Sequence, residues 1–221
     1  MDPRNHLEEL THIRGLMEKS TRFISLSGLS GVAAGAAGLV GAFMAQKHYR
    51  ALLGIGTRTD GQGLSPEAMD AAFREHVGYL IADGAIVLLA ALAAALWFTW
   101  RRSRRTGQGM WDGSARRLLV NLFIPLVVGG LFALALLASG AVHMVPAATL
   151  VFYGLALLNA SKYTLDEIRW LGLSEALLGV VAAFWPGAGL LFWALGFGVL
   201  HIFYGGLMYL RHERGTSTHG A

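Results

Sequence analysis

Glu175 and His201 are the residues whose types invite a chemical reading, because each interrupts a long apolar stretch in which an ionisable group is costly to bury. A carboxyl and an imidazole held together away from water form a titrating pair that can share, take up and release a proton. Ser30, Asn121 and Asn159 are further polar side chains inside such stretches, and Asp83 lies about one turn inside the far end of the second. Counting about 1.5 Å per residue from the end where basic residues collect, Ser30, Glu175 and His201 fall at roughly 10 to 15 Å and are expected in one layer. A plainer role stands beside this one: each polar group satisfies a neighbouring helix by a hydrogen bond, with Glu175 kept neutral.

Two other chemistries compete for these residues. Gly28-Leu29-Ser30-Gly31, taken with His201 in the last stretch, resembles the rhomboid intramembrane proteases, whose serine sits in a Gly-x-Ser-Gly motif with a histidine on the sixth helix. That resemblance implies a Ser30–His201 pair. The family's serine belongs to the fourth helix, however, whereas Ser30 is on the first, and no oxyanion-side motif accompanies it. His143 and His201 invite haem ligation, but one lies at an outer edge and the other well toward the inside, so they do not suit a single haem. Cysteine is absent, which excludes disulfides, thiolate metal sites and iron–sulfur clusters. No cofactor, metal or catalytic residue is expected, and a non-enzymatic role is the favoured reading.

The elements that must position these residues are six apolar stretches: Phe23 to Gln46, Gly78 to Trp100, Leu118 to Ser139, Val142 to Ala160, Leu165 to Trp185 and Gly187 to Leu210. A membrane span needs about 20 mostly apolar residues. The composition agrees: 54% of the residues are hydrophobic and 14% charged, against roughly 25% charged in soluble proteins. The expected fold is all-α and polytopic, with six transmembrane helices arranged as three hairpins in residues 23–210. Residues 1–22 form an amphipathic N-terminal helix, with Leu7, Leu10, Ile13 and Met17 at helical spacing, lying along the inner interface. They lack the short apolar core and cleavage site of a signal peptide, so the first span is expected to be its own insertion signal.

Charge sets the expected orientation. Lys47, Arg50, Arg58 and Arg74 fall on one side, and the other fourteen of the 18 Lys and Arg residues fall on the side of both termini, which predicts N- and C-termini in the cytoplasm. The net charge of +4 is then a topology signal and not a sign of nucleic-acid binding. The inner loop 101–117 carries Arg101, Arg102, Arg104, Arg105, Arg116 and Arg117, with Trp111 as an interface anchor, and is the expected contact for anionic lipid head groups. The outer loop 47–77 is a solvated connector, with Ser65-Pro66 as a cap signal for a short helix leading into the second span. Thr164-Leu165-Asp166-Glu167 fits a capping box at the fifth. Residues 211–221 form a cytoplasmic tail.

Glycine is expected to supply the packing. Ser27, Gly31, Gly35 and Gly38 lie along one narrow face of the first span, where backbones can approach closely, either inside one chain or between copies in a homo-oligomer. Pro125, inside the third span, is a candidate kink.

The last hairpin carries a more specific likeness. Trp170 to Gly187, with Glu175, Gly179 and the Trp185-Pro186-Gly187 turn, continuing through Gly196, Gly198 and Tyr204-Gly205-Gly206, resembles a hairpin unit of the HdeD-like acid-resistance membrane proteins. That family repeats a helical hairpin three times. Gly28-Leu29-Ser30 with Gly35 recurs as Gly172-Leu173-Ser174 with Gly179, a faint echo of such duplication. The chain departs from the pattern in its long first outer loop and in Gly140 and Pro146 at the middle turn. The whole chain also resembles bacterial multi-pass membrane proteins with Arg-Phe and Ser-Leu-Ser-Gly openings. These resemblances imply a bacterial inner-membrane protein connected to acid or envelope stress. A small proton-coupled or solute transporter using Glu175 and His201 is the alternative.

Overall fold

Caps and glycine spacing decide where the helices start and which faces meet. The computed structural model describes residues 26–56, 65–107 and 111–214, the side chains of residues 52–56 and 106 excepted. The expected amphipathic segment 1–22, the centre of the outer loop and the tail from residue 215 lie outside the described residues. Among those described, every regular element is helical: α1 (Gly28–Gly56), α2 (Pro66–Thr106), α3 (Gly113–Ala138), α4 (Val145–Ala160) and α5 (Asp166–Phe184). The last rod is composite. It joins a 3-10 turn at Pro186–Ala188, α6 (Gly189–Trp193), a π-helix at Ala194–Leu200 and α7 (His201–His212).

Among the described residues five helices are long and apolar enough to cross a membrane: Gly28–Ala51, Pro66–Arg105, Gly113–Ala138, Val142–Tyr163 and Pro186–His212. The expected fifth span, α5, falls outside that set, because Asp166, Glu167, Arg169 and Glu175 load its 19 residues with ionisable groups. Large apolar side chains stand exposed all around, among them Phe43, Leu89, Trp97, Leu131 and Phe184. In water such a surface would drive aggregation; against acyl chains it is ordinary.

Two helices run beyond the apolar stretches that marked them, and the cap expected at Ser65 forms. Ser65 caps α2, its Oγ accepting from the Ala68 N–H at 3.2 Å with Pro66 in the first turn, and the helix runs unbroken to Gly107 at φ +67°. Its 41 residues span roughly 60 Å, twice the hydrocarbon thickness. Most of the segment 47–77 expected as loop is therefore helix, since α1 also continues to Gly56 and Glu67, Ala68, Met69, Ala71 and Ala72 are strong helix formers. At α5 the helix starts beside Leu165 as expected, with Leu165 in the cap position and Asp166 and Glu167 in the first turn. Pro125 lies within α3, which runs on through it.

Glycine pairs bring four rods into backbone contact. A Cβ built on Gly35 would lie 2.6 Å from the Gly198 carbonyl oxygen, and one on Gly38 would lie 2.6 Å from that of Phe197. Gly31 faces Gly205 in the same seam. The glycine face of α1 is thus occupied by the last rod of its own chain. Gly154 of α4 and Gly172 of α5 repeat the arrangement, each denying the other's carbonyl any room for a side chain. The sequence echo at Gly28–Gly35 and Gly172–Gly179 therefore falls in two seams where helix backbones meet closely. α2 packs beside α1 and α3 beside α4, which leaves α1, α4, α5 and the last rod as the core.

Polar bonds tie the helix ends together where the basic residues collect. Glu213 accepts the Gly28 N–H at 2.6 Å and the Ser27 hydroxyl at 3.1 Å, so α1 is capped from the far end of the chain. Arg102 Nη1 sits 3.2 Å from the same carboxylate and donates to the Leu26 carbonyl at 2.7 Å. Each charge also meets the opposite end of a helix dipole. Glu167, in the first turn of α5, receives Arg211 and His212 from the end of α7, both at 3.2 Å.

Gly35→Leu should destabilise the protein by about 1–3 kcal/mol or more through overpacking, read as a lower melting temperature in lipid nanodiscs. Gly84→Leu, at a helical glycine with nothing within 4 Å of its Cβ position, should leave it unchanged. In a double-mutant cycle, Arg102→Ala and Glu213→Ala should each cost about 1–3 kcal/mol, and the pair together less than their sum.

Candidate functional site

Glu175 sits on the same face of α5 as Gly172 and Gly179, the positions that let α4 approach. The glycine spacing that packs the helix therefore also aims its carboxyl into the core. A matching hole exists on the last rod, because a side chain at Gly196 would fall on the Glu175 carboxyl and on Leu150. Glu175 and Leu150 have no exposed surface, and His201 is 5% exposed. The site is bounded on both sides along the helices by apolar clusters. Leu157, Leu165, Ile168, Leu171 and Met208 close it toward the basic end, and Ala147, Leu150 and Ala182 close it toward the other.

Inside, the hydrogen bonds define a short chain. His201 Nδ1 lies 3.1 Å from the Gly196 carbonyl and 3.2 Å from Glu175 Oε1, and its Nε2 lies 2.8 Å from the Tyr153 hydroxyl. Only the Gly196 contact has hydrogen-bond geometry at Nδ1, and neither Glu175 oxygen has a donor. The neutral ring that fits carries its proton on Nδ1 and accepts from Tyr153 at Nε2. Gly196 belongs to the π-helix that ends just before His201. An inserted π turn places carbonyls where side chains can use them, as it does here.

This arrangement restricts the charge states. A neutral acid beside a neutral imidazole has no net charge, and nor has a carboxylate beside an imidazolium. A carboxylate beside a neutral imidazole would bury an uncompensated charge with no donor, which is strongly disfavoured. Two of these states leave the buried pair without net charge, and the Tyr153 hydroxyl is a third group in contact with it.

Two more polar contacts continue from this level toward the basic end along the seam of α5 and α7. The Ser174 and Tyr204 hydroxyls are 3.1 Å apart, and beyond them come Glu167, Arg211 and His212. Tyr153, Ser174 and Tyr204 are the members that reasoning on ionisable and amide groups passed over. A tyrosine in the middle of an apolar helix, away from the interfaces where the ring is usual, was the available signal.

The other expected polar residues lie elsewhere. Ser30 is buried on α1 with its hydroxyl given to the Ser27 carbonyl, while the two ring nitrogens of His201 are engaged by Tyr153 and Gly196, so no Ser30–His201 dyad forms. Asn159 donates to the Asn121 carbonyl at 2.9 Å and Asn121 to that of Arg117, a clamp between α3 and α4 near the basic end. Asp83 faces Gly41 of α1, on α2, which does not reach the core site. His143 is exposed, ten positions and roughly 15 Å along the chain from Tyr153, and does not approach His201. A further cluster, His48 stacked on Tyr79 at 3.9 Å with His76 5.4 Å away, joins the outer extensions of α1 and α2.

Compared with family models, with curated proteins and with solved structures, the chain matches none of them.

Proposed function

We propose that this is a non-enzymatic, proton-responsive protein of the bacterial cytoplasmic membrane, in which Glu175, His201 and Tyr153 bind and release a proton within a six-helix bundle of three hairpins. The observation that carries this reading is the fully buried Glu175 carboxyl, 3.2 Å from His201 Nδ1 and without a hydrogen-bond donor. A purely structural polar contact in a helix bundle would be satisfied by its neighbours. This one is balanced only by where a proton sits. α5 is counted as a span in this reading, which brings the number to six, its acids Asp166 and Glu167 and Arg169 lying at the basic end and Glu175 facing His201. The basic-residue distribution supports both termini in the cytoplasm. The resemblance of the last hairpin to the HdeD-like acid-resistance proteins supports a link to acid or envelope stress, since that hairpin contains both Glu175 and His201.

A second reading, proton-coupled transport, is favoured by the polar pairs Ser174–Tyr204 and Glu167–His212, which lie at successive levels between Glu175 and the basic end.

Raising the pH far enough to remove the shared proton leaves a bare carboxylate in the core. The wild-type protein should therefore lose stability at alkaline pH more steeply than Glu175→Gln, which is neutral at every pH, with His201→Gln also flattening the profile. Parallel profiles for wild type and Glu175→Gln, measured by thermal melting in nanodiscs, would remove the proton-binding role. In proteoliposomes, any proton flux should be abolished by Glu175→Gln and slowed by Tyr153→Phe; flux unchanged in both would leave sensing without transport.

A further inference from the structure

The two flanking helices end in a basic cluster that no acidic side chain among the described residues neutralises. Arg101, Arg104 and Arg105 at the end of α2, and Arg116 and Arg117 at the start of α3, are all exposed. None of these five pairs with an acidic side chain among the described residues, whereas Arg102 beside them is paired with Glu213. α2 packs against α1 and α3 against α4, and the two share no packed interface with each other. Thr106 and Gly113 are nevertheless only seven residues apart in the chain, so the two helix ends lie within about 25 Å.

Above the arginines both helices present apolar side chains. Leu89, Leu92 and Leu96 on α2 and Phe123, Val127 and Leu131 on α3 are each exposed by 46% or more. Between the charged and apolar zones is an aromatic layer: Trp97 and Trp100 have ring centroids 5.6 Å apart, and the Arg104 guanidinium lies 4.6 Å over the Trp100 ring. Tryptophan at this level marks a head-group region, and the ring holds Arg104 by a cation–π contact while leaving its N–H donors free. A polyanion such as nucleic acid would satisfy the arginines but not the adjoining apolar faces. An anionic amphiphile satisfies both.

We propose that the basic ends of α2 and α3 hold anionic phospholipid, with Arg104, Arg105, Arg116 and Arg117 meeting the head-group phosphate and the exposed faces of both helices meeting its acyl chains. Guanidinium groups suit this role because their planar forks engage phosphate oxygens in pairs.

The full-length protein reconstituted in phosphatidylcholine bilayers, probed with spin-labelled phosphatidylglycerol and spin-labelled phosphatidylcholine, tests it. The wild type should select the phosphatidylglycerol probe. Arg104→Gln/Arg117→Gln should reduce that selectivity severalfold, by up to roughly fivefold per arginine removed. Arg169→Gln, at an exposed arginine of α5 near the same end, should retain it. No selectivity in the wild type, full selectivity in the double variant, or an equal loss in Arg169→Gln would each overturn the proposal. The readout does not involve Glu175 or His201, so its outcome is independent of the proton-binding role.

Discussion

An apolar side chain that leaves lipid for a neighbouring helix gains little, so a helix bundle in hydrocarbon must be held by close backbone contact and by polar bonds. Everything else in this protein follows from how it meets that constraint. Gly31, Gly35 and Gly38 lay α1 against Gly198 and Gly205, and Gly154 lays α4 against Gly172. These two seams fix four rods at backbone distance. They also leave room for a single bulky polar group, the Glu175 carboxyl, opposite Gly196. A side chain at that glycine would claim the space, so packing and chemistry share one solution.

The polar groups divide into two kinds by location. At the basic end the charges are paired and partly solvated: Arg102 with Glu213, and Glu167 with Arg211 and His212. They close helix dipoles and hold the first and last helices together, a staple between residues far apart in the chain. In the core the pair is buried, bounded by apolar clusters on both sides, and its carboxyl lacks a donor among the described residues. In the proposed reading, the second kind is satisfied only while one proton remains on it. The π-helix beside it supplies the Gly196 carbonyl that orients the imidazole.

Much of this was legible from residue types and spacing. Long apolar runs marked the helices, Ser65-Pro66 marked the start of α2, and equal depth along antiparallel helices brought Glu175 and His201 to one level. Depth carries no information about direction around a helix, however. Ser30 shares that level and turns its hydroxyl back to Ser27, while Tyr153 from α4 completes the site instead. The cap on α1 was equally hidden, because Glu213 lies 185 positions from Gly28 and no local pattern links them. The outer extensions of α1 and α2 escaped a reading based on hydropathy, since helix propensity continues past the point where apolar residues stop. At α5 the helix start was legible, but the pairing of Glu167 with Arg211 and His212 was not, because those residues lie 44 and 45 positions away.

The central claim is that Glu175 and His201 hold one proton between them in the folded protein. Solid-state NMR of full-length protein in lipid at neutral pH, labelled so that the Glu175 carboxyl carbon and the His201 ring nitrogens are read in one sample, tests this most directly. The predicted result is a protonated carboxyl with a neutral ring protonated at Nδ1, or an ionised carboxyl with a doubly protonated ring. An ionised Glu175 beside a neutral His201 would contradict it.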